Sequence, residues 1–475
     1  MAGKTKIIAT IGPSSSNKAV LKKMILAGMD VARLNLSHGS HNDHQRVIEH
    51  IRSLSLEMER PIGILLDLQG PKIRTGTLKD QRPVVLRKNS VINITTRDIP
   101  DGTADMVSTT YAGLARDVTK GDRILLDDGL IELKALSVTK DTVRCKIVNG
   151  GILKEHKGIN LPGVKVSAPS LTEKDVTDLE FGIRAGVDYI ALSFVRSPDD
   201  LIHIKALIKK HRADIPVIAK IEKPEAVQNL DSILDAADGV MVARGDLGVE
   251  LRPELVPTIQ KEIINKAIVM NKPVVTATQM LETMISNPIP TRAEASDVAN
   301  AIFDGTDAVM LSGETALGRY PVKTVQMMVR IALEAENSPF MNYNLKHRTE
   351  RNDLVTHAVA HSAVNILHEL DAKAIIVFSV SGKTSKLISK MRPAKPVYAF
   401  SPSVKVFNRL SLAWGITPLI IPAIADTKSI IEKGERVLEE KKLVRKNDLV
   451  IIVTGLALKT GSTNMIKIHR VGQRD

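Results

Sequence analysis

Residues 216–221, PVIAKI, form a short aliphatic run of the kind found in parallel strands that are buried on both faces. Seven similar runs lie between residues 5 and 313, namely Lys6–Ile11, Asp30–Leu36, Ile62–Leu68, Asp188–Phe194, Gly239–Ala243, Pro273–Ala277 and Ala308–Leu311. Helical patterns separate most of them, such as the one that begins with the capping box Thr172-Glu-Lys-Asp175 and ends at Gly186. This α/β rhythm predicts a TIM (β/α)8 barrel, with an open doubly wound sheet as the structural alternative.

Residues 72–167 are too many for a loop between the third and fourth strands. They contain short alternating segments and turn signals such as Asp127-Asp128-Gly129, which predict an inserted small β-barrel domain that serves as a lid. A polar stretch at 337–352 precedes a further α/β series with strand candidates at Ala374–Phe378, Val397–Phe400, Pro418–Ile421, Leu449–Val453 and Met465–His469. We therefore expect a barrel domain at 1–71 and 168–340, the lid at 72–167 and a C-terminal α/β domain at 341–475.

The amino-acid composition limits the kinds of protein that this chain can be. Of the 475 residues, 43% are hydrophobic and only 3% aromatic, so several aliphatic cores are expected. The chain has a single cysteine, Cys145, which is typical of a protein from a reducing compartment. It shows no signal-peptide pattern and no apolar run of about 18 residues. We therefore expect a cytoplasmic protein without a membrane partner. The formal charge of +13 is spread along the chain, so anionic metabolites explain it better than nucleic acid does.

Polar and charged residues follow the predicted strands at the ends where a TIM barrel carries its chemistry. In VARLNLSH, residues 31–38, the strand period places Arg33, Asn35 and Ser37 on one face. The other strand ends supply Asp67, Lys220 with Glu222, Asp246, Thr278, and Ser312 with Glu314. A solvated edge strand or a surface salt bridge would explain one of these groups, but not charges after so many buried strands.

The chemistry of this set is coherent. Glu222 and Asp246 offer the oxygen ligands that Mg²⁺ prefers, and Arg33 and Lys220 can neutralise a phosphate. Gly245 allows backbone N–H groups to approach an anionic oxygen. Positioning and charge neutralisation are most of what phosphoryl transfer needs, and the sequence contains neither a P-loop nor a G-x-G-x-x-G motif.

Ordered motifs along the chain resemble the pyruvate kinase family. They are TKIIATIGP (5–13), RLNLSHG (33–39), DLQGPKIRTG (67–76), GINLPG (158–163), AKIE (219–222), MVARGDLG (241–248), ATQMLE (277–282) and LSGET (311–315). The resemblance implies the barrel as domain A, the lid as domain B, an effector-type C domain and a homotetramer. It also implies phosphoenolpyruvate and ADP as substrates.

The resemblance implies a role for each site residue. Lys220 would stabilise the transferring phosphoryl group, and Glu222 and Asp246 would bind Mg²⁺ or Mn²⁺. Phosphoenolpyruvate would contact Arg33, Lys220, Gly245, Asp246 and Thr278. The nucleotide would meet Asn35, Ser37, His38 and Arg74, with Lys157 reaching in from the lid. Ser312 and Glu314 would order water for protonating the enolate.

One segment departs from the family pattern. Potassium-dependent members carry Thr-Lys-Gly-Pro-Glu after the aspartate, where this chain has Leu68-Gln69-Gly70-Pro71-Lys72. The lysine ammonium would replace the charge of the ion, which resembles the potassium-independent branch. Asn35, Ser37 and Asp67 remain as a remnant of the monovalent-cation site. The alternative is that Lys72 points into solvent and K⁺ still binds.

A phosphate site for an effector is expected in the C-terminal domain. Ser379, Ser381, Gly382, Lys383, Thr384 and Ser385 lie between a strand and a helix, where hydroxyl and backbone N–H groups suit a sugar phosphate or AMP. An ordinary capping turn is the alternative. For the whole chain, an aldolase of 2-keto acids or a non-catalytic scaffold protein are the rival functions.

Overall fold

A closed barrel of eight parallel strands forms the centre of the molecule in a computed structural model, which describes residues 3–341, 354–423, 426–455 and 463–473. With strands numbered along the chain, the barrel contains β1 (Lys6–Ile11), β2 (Val31–Asn35), β3 (Gly63–Asp67), β12 (Tyr189–Leu192), β13 (Val217–Ile221), β14 (Gly239–Ala243), β15 (Val274–Ala277) and β16 (Ala308–Leu311). They pair in the order β1-β16-β15-β14-β13-β12-β3-β2, which confirms the TIM barrel and excludes the open sheet.

The strand register brings the carboxyl ends together. Asn35 on β2 is opposite Asp67 on β3, and Lys220 on β13 is opposite Met241 on β14. Strand β2 ends at Asn35, one residue earlier than the predicted Leu36, because the chain turns there, with the His38 N–H donating to Asn35 O over 3.2 Å. Ser37 therefore lies in a turn beyond the strand, and the predicted strand face is limited to Arg33 and Asn35.

Amphipathic helices surround the barrel. They are α1 (Lys18–Ala27), α2 (His41–Glu57), α4 (Glu173–Ala185), α5 (Pro198–Lys210), α6 (Pro224–Gln228), α7 (Leu230–Ala236), α8 (Arg244–Glu250), α9 (Val256–Val269), α10 (Arg292–Phe303), α11 (Gly313–Ala316) and α12 (Pro321–Glu336). The predicted capping box is present at α4, where Thr172 and Asp175 exchange hydrogen bonds, and the left-handed Gly186 ends that helix.

The segment between β3 and β12 forms a separate β unit with its own aliphatic core. It contains α3 (Leu114–Asp117) and the strands β4 (Val84–Leu86), β5 (Val91–Thr95), β6 (Met106–Ser108), β7 (Arg123–Leu126), β8 (Ile131–Val138), β9 (Thr142–Asn149), β10 (Gly151–Leu153) and β11 (Ile159–Asn160). The predicted small β-barrel is only partly closed. Six strands form the sheet β11-β7-β8-β9-β5-β6, β10 pairs with β4, and residues 74–78 link the two sheet edges through single bridges such as Arg74–Gly158 and Thr75–Thr109.

The C-terminal unit is a five-stranded α/β sheet. Its strands are β17 (Ala374–Phe378), β18 (Val397–Ser401), β19 (Ile416–Ile420), β20 (Leu449–Gly455) and β21 (Thr463–Arg470), in the order β19-β18-β17-β20-β21 with β21 antiparallel. The accompanying helices are α13 (Leu354–Glu369), α14 (Lys383–Lys390), α15 (Val404–Arg409) and α16 (Thr427–Glu440). The polar stretch predicted at 337–352 lies mostly outside the described residues.

The C-terminal unit packs on the amino-terminal ends of the barrel strands. Asp307, just before β16, forms a buried ion pair with Lys390 and lies 3.1 Å from Arg392. The Arg392 guanidinium stacks 4.4 Å from the ring of Trp414, the only tryptophan in the chain, and the Lys4 ammonium lies 5.4 Å from the same ring. Every helix in the described ranges is too short or too polar to span a lipid bilayer.

Candidate active site

Lys220 lies at the centre of the site, near the carboxyl end of β13. Its ammonium donates to Ser193 Oγ over 2.7 Å and lies 2.8 Å from Glu222 Oε1 and 3.3 Å from Asp67 Oδ1. Burial alone would lower the pKa of Lys220, but the carboxylates of Asp67 and Glu222 outweigh it and hold the pKa above its usual value. The ammonium is therefore charged at neutral pH and fixed at the mouth of the barrel.

Arg33 supplies a second cation from β2. Its Nε donates to Asp67 Oδ2 over 2.7 Å and its Nη1 donates to Thr10 Oγ1 over 2.9 Å. Asp67 is buried, which would raise its pKa, yet Lys220 and Arg33 lower it below the usual value. One ionised carboxylate thus orients both cations toward the strand ends.

Glu222 and Asp246 fit a hard divalent cation. Glu222 Oε2 accepts the Phe194 N–H over 2.8 Å, while Oε1 is buried and makes no hydrogen bond of suitable angle within the described part of the chain, despite the nearby Lys220 ammonium. Burial raises the pKa of Glu222, and the charge of Lys220 lowers it. The charge of Asp246 raises the pKa further, because the two carboxylates repel each other. A cation between them would relieve that repulsion. No cluster of three acidic, histidine or cysteine ligands occurs in the described ranges. Mg²⁺ needs only one or two carboxylates, because waters and substrate oxygens complete its coordination.

Gly245 and Thr278 connect the ends of β14 and β15. The Gly245 N–H donates to Thr278 Oγ1 over 2.8 Å, and that hydroxyl donates to Ala277 O over 2.6 Å. Thr278 has φ +71, a left-handed conformation that is strained for a β-branched residue. The Arg244 guanidinium supports it by donating to Thr278 O over 2.7 Å. The strained residue is held at the site by its neighbours.

Ser312 and Glu314 follow β16 and differ in their surroundings. Both Glu314 oxygens accept backbone N–H groups, from Ser312 over 2.6 Å and from Leu281 over 3.1 Å. In contrast, Ser312 Oγ is buried and makes no hydrogen bond to any described residue. Ser312 shares with Arg33 and Thr278 a cleft of about 800 Å³. Ser312 is therefore available to a ligand, whereas Glu314 holds two loops in place.

The predicted nucleotide residues are only partly brought together. Asn35 and His38 line the same cleft as Arg33, and the Ser37 N–H donates to Asn35 Oδ1 over 3.2 Å. Burial, followed by the charges of Arg74, Lys72 and Arg33, lowers the pKa of His38 below its usual value. His38 is therefore mainly neutral near pH 7.

Arg74 and Lys157 are bound to partners within the lid. Arg74 Nη1 donates to His156 O over 3.1 Å, and the Lys157 ammonium lies 2.8 Å from Asp127 Oδ1. Neither makes a side-chain bond to the barrel site among the described residues. Both would have to exchange these partners in order to bind a nucleotide.

Lys72 lies beside the site, between the lid and the barrel. It lines a small cavity of about 40 Å³ together with Asp246 and Phe194, and a Cβ placed on Gly158 of the lid would lie 3.8 Å from Lys72 Cε. Its charge also contributes to the lowered pKa of His38. These observations favour the site-facing orientation over the solvent-facing alternative.

The predicted effector loop precedes α14 as expected. Gly382, with φ +73, is the N-cap of the helix and has no side chain to cap it, but the Lys383 N–H donates to Ser381 Oγ over 3.4 Å. Ser379 Oγ accepts the Gly382 N–H over 3.0 Å, Ser381 is exposed, Lys383 is exposed, and Thr384 Oγ1 is 2.7 Å from Thr463 Oγ1. Ser385 Oγ is buried and makes no hydrogen bond within the described ranges.

Two site residues are absent from the sequence-based set. Ser193, after β12, bridges the Lys220 ammonium and Leu68 O, to which its hydroxyl donates over 2.7 Å. Thr10, on β1, receives a hydrogen bond from Arg33 and donates to Leu311 O over 2.8 Å. Both lie at the ends of β1 and β12, the two barrel strands that supply none of the predicted site residues, and the same strand-end rule applies to them.

The ends of the barrel strands carry two cations, Lys220 and Arg33, and two carboxylates that could bind a metal, Glu222 and Asp246. This arrangement is typical of an enzyme that transfers phosphoryl groups. Models of the pyruvate kinase barrel domain and of the pyruvate kinase alpha/beta domain match residues 2–325 and 357–469. The chain is 46% identical over 477 residues to pyruvate kinases of Staphylococcus epidermidis and Staphylococcus aureus, covering 99% of this chain and 80% of each relative. A crystal structure of a pyruvate kinase from Cryptosporidium parvum matches with a TM-score of 0.92 and 38% identity, over 99% of this chain and 96% of that one. This chain therefore belongs to the pyruvate kinase family and is a phosphotransferase.

Proposed function

We propose that this enzyme transfers the phosphoryl group of phosphoenolpyruvate to ADP, giving pyruvate and ATP as the last step of glycolysis. The observation that carries the proposal is the Lys220 ammonium, held between Asp67 and Glu222 beside Arg33. A fixed cation at the position where charge develops lowers the barrier because it needs no reorganisation during the reaction.

Each residue has a task in this reaction. Lys220 and Arg33 bind the phosphoryl oxygens while the bond to the enol oxygen breaks and a β-phosphate oxygen of ADP forms the new bond. Gly245 and Thr278 would exchange their present hydrogen bonds, to Thr278 Oγ1 and Ala277 O, for bonds to the substrate carboxylate, and so fix the plane of the enolate. Ser312, whose hydroxyl makes no hydrogen bond to described residues, orders the water that delivers a proton to the enolate carbon, and Glu314 positions Ser312.

Glu222 and Asp246 would hold Mg²⁺ or Mn²⁺. Bound there, the ion supplies positive charge to substrate oxygens. The repulsion between these carboxylates, which raises the pKa of Glu222, supports the assignment.

We further propose that the enzyme needs no potassium, because Lys72 already supplies one positive charge beside the site. Asn35, Ser37 and Asp67 remain as the remnant of a monovalent-cation site. ADP would meet Asn35, Ser37, His38 and Arg74, with Lys157 exchanging Asp127 for the nucleotide phosphates.

Regulation and assembly complete the proposal. The loop from Ser379 to Ser385 would bind a sugar phosphate or AMP, supported by its position at the start of α14 and by the buried Ser385 hydroxyl, which makes no hydrogen bond within the described ranges. The domain limits would be 1–71 and 168–340 for the barrel, 72–167 for the lid and 341–475 for the C-terminal domain. A cytoplasmic homotetramer is proposed by analogy with the family.

One assay tests the central proposal. Pyruvate formation from phosphoenolpyruvate and ADP is coupled to lactate dehydrogenase, and each substrate is omitted in turn. We expect turnover that requires both substrates. A 2-keto acid aldolase would instead consume pyruvate with an aldehyde acceptor, and a scaffold protein would do neither; either result would overturn the proposal.

A further inference from the structure

A cavity of about 560 Å³ lies between the barrel and the C-terminal unit. Its barrel side is formed by residues that precede strands, such as Pro216 and Asp307, and by α5. Its other side is formed by residues along α14, from Lys383 to Lys390, and by Leu412 and Ala413. It therefore lies at the opposite end of the barrel from Lys220, and it is not part of the active site. Its volume is typical of sites for small organic molecules.

The acidic groups that line this cavity already have cationic or backbone partners. Asp214 lies 3.1 Å from Arg409 Nη1, and Asp238 lies 2.9 Å from the Lys205 ammonium. Asp307 pairs with Lys390 and also accepts the Val274 N–H over 2.7 Å. Each carboxylate is therefore neutralised within the protein.

Two lysines of the lining have no such partner. Lys386, half-buried on α14, and Lys209, exposed on α5, make no side-chain hydrogen bond or ion pair with any residue in the described ranges. Burial lowers the pKa of Lys386, as does the charge of Arg409, although Asp238 and Asp214 raise it. An unpaired, partly desolvated ammonium is costly unless an anion joins it. The uncompensated charge in this cavity is thus positive. It comes from Lys209 of the barrel and Lys386 of the C-terminal unit.

We propose that this interdomain cavity binds a small organic phosphate, whose phosphate group contacts Lys386 and Lys209. Lysine binds phosphate as a point charge, and the apolar side chains of Leu387, Met270 and Leu412 would contact the organic part. Such a ligand would bridge the barrel and the C-terminal unit. The cavity meets the loop at Ser379–Ser385 only through Lys383, and the proposed phosphate contacts lie further along α14, at Lys386, and on the barrel helix α5, at Lys209.

Pyridoxal 5′-phosphate is a suitable probe on the full-length protein. Its aldehyde condenses with an unprotonated lysine amine to an imine with loss of water, and borohydride reduces the imine to a stable amine. Mass spectrometry of the digested protein then gives the labelling rate of each lysine. Lys210, exposed and next to Lys209 on α5 but not part of the lining, is the internal control.

We expect Lys386 to be labelled about tenfold faster than Lys210, because the phosphate of the probe, held beside Lys209, places the aldehyde next to the Lys386 amine, whose pKa burial lowers. Excess inorganic phosphate should slow labelling of Lys386 but not of Lys210. Lys209→Gln should slow it as well, whereas Lys210→Gln should not. The proposal would be overturned if Lys386 were labelled no faster than Lys210. It would also be overturned if neither inorganic phosphate nor the Lys209→Gln substitution changed the labelling rate of Lys386. The labelling rate is measured without turnover. Its result therefore does not depend on whether the enzyme carries out the proposed reaction.

Discussion

The Lys220 ammonium lies 2.8 Å from Glu222 Oε1, two residues further along the chain, and 3.3 Å from Asp67 Oδ1 on another strand. The cation is therefore held between two carboxylates that are themselves buried. Its charge is set by the fold before any substrate arrives. This relationship makes Lys220 the first residue to test.

Lys220→Met should lower kcat by about 10²–10³, the usual cost of losing one preorganised charge from a developing transition state. Phosphoenolpyruvate should still bind, because Arg33 remains oriented by Asp67 over 2.7 Å. Steady-state kinetics with the coupled assay measure both parameters, with Lys210→Met as the matched control. A folded Lys220→Met enzyme with wild-type kcat would contradict the assigned role.

Chelation of divalent cations should abolish activity, and Mg²⁺ or Mn²⁺ should restore it. Asp246→Asn should raise the Mg²⁺ concentration for half-maximal activity by at least about tenfold, because even ligand-supporting residues contribute that much to metal affinity. Asp199→Asn, an exposed position at the start of α5, serves as control. The thermal midpoint of the metal-free protein should change little, since Asp246 makes no side-chain bond with the described residues. Full activity in excess EDTA would refute a metal requirement.

Replacing potassium by sodium or tetramethylammonium at constant ionic strength should leave the rate nearly unchanged. Two cations about 4 Å apart at an effective dielectric constant near 20 repel by about 4 kcal/mol, which is enough to empty a weak ion site next to Lys72. Lys72→Glu should create a potassium requirement at some loss of activity. A large drop in the wild-type rate without potassium would show that the lysine does not replace the ion.

Ser381→Glu should remove any response to sugar phosphates or AMP, because a carboxylate at this exposed position repels the phosphate of the ligand. The basal rate should be preserved, since the barrel site is in another unit. Ser53→Glu on α2 adds the same charge elsewhere and should keep the response. If no sugar phosphate or AMP alters wild-type kinetics, the loop is an ordinary helix-capping turn.

Lys390 should make stability depend on alkaline pH. Burial, opposed by Asp307, lowers the pKa of Lys390 from 10.5 to about 8. Between these values the folded protein has lost the proton while the unfolded chain holds it, so unfolding takes up a proton and stability rises with pH. The thermal midpoint of the wild type relative to Lys390→Met should therefore rise from pH 8 toward pH 10. A constant or falling difference would show that Lys390 stays protonated in the fold.

The aliphatic runs predicted the barrel because parallel strands buried on both faces leave a plain hydrophobic signal. The same runs located Asp67, Lys220 and Glu222, since each lies at or just after a strand end. Other properties depend on contacts between distant segments. The left-handed conformation of Thr278 requires the support of Arg244, and no local pattern predicts it for a β-branched residue.

The lid illustrates a second limit of prediction. Turn signals and alternation identified a β unit, but closure depends on which edges meet, and here single bridges from residues 74–78 join them. Likewise, the sequence placed Arg74 and Lys157 among the nucleotide residues, whereas the structure pairs them with His156 and Asp127 inside the lid. The partners of such half-buried cations are set by the tertiary arrangement, not by the local sequence.

Trp414 lies buried under Arg392, at the boundary where Lys4 and Asp307 of the barrel approach the C-terminal unit. Its fluorescence therefore reports on this boundary. Because the chain has no other tryptophan, emission excited at the red edge of the indole band originates at this one boundary. A ligand that drew the C-terminal unit away from the barrel would let water reach the indole and shift its emission to longer wavelength. Motion between the two units can thus be followed in the unlabelled wild-type enzyme during turnover.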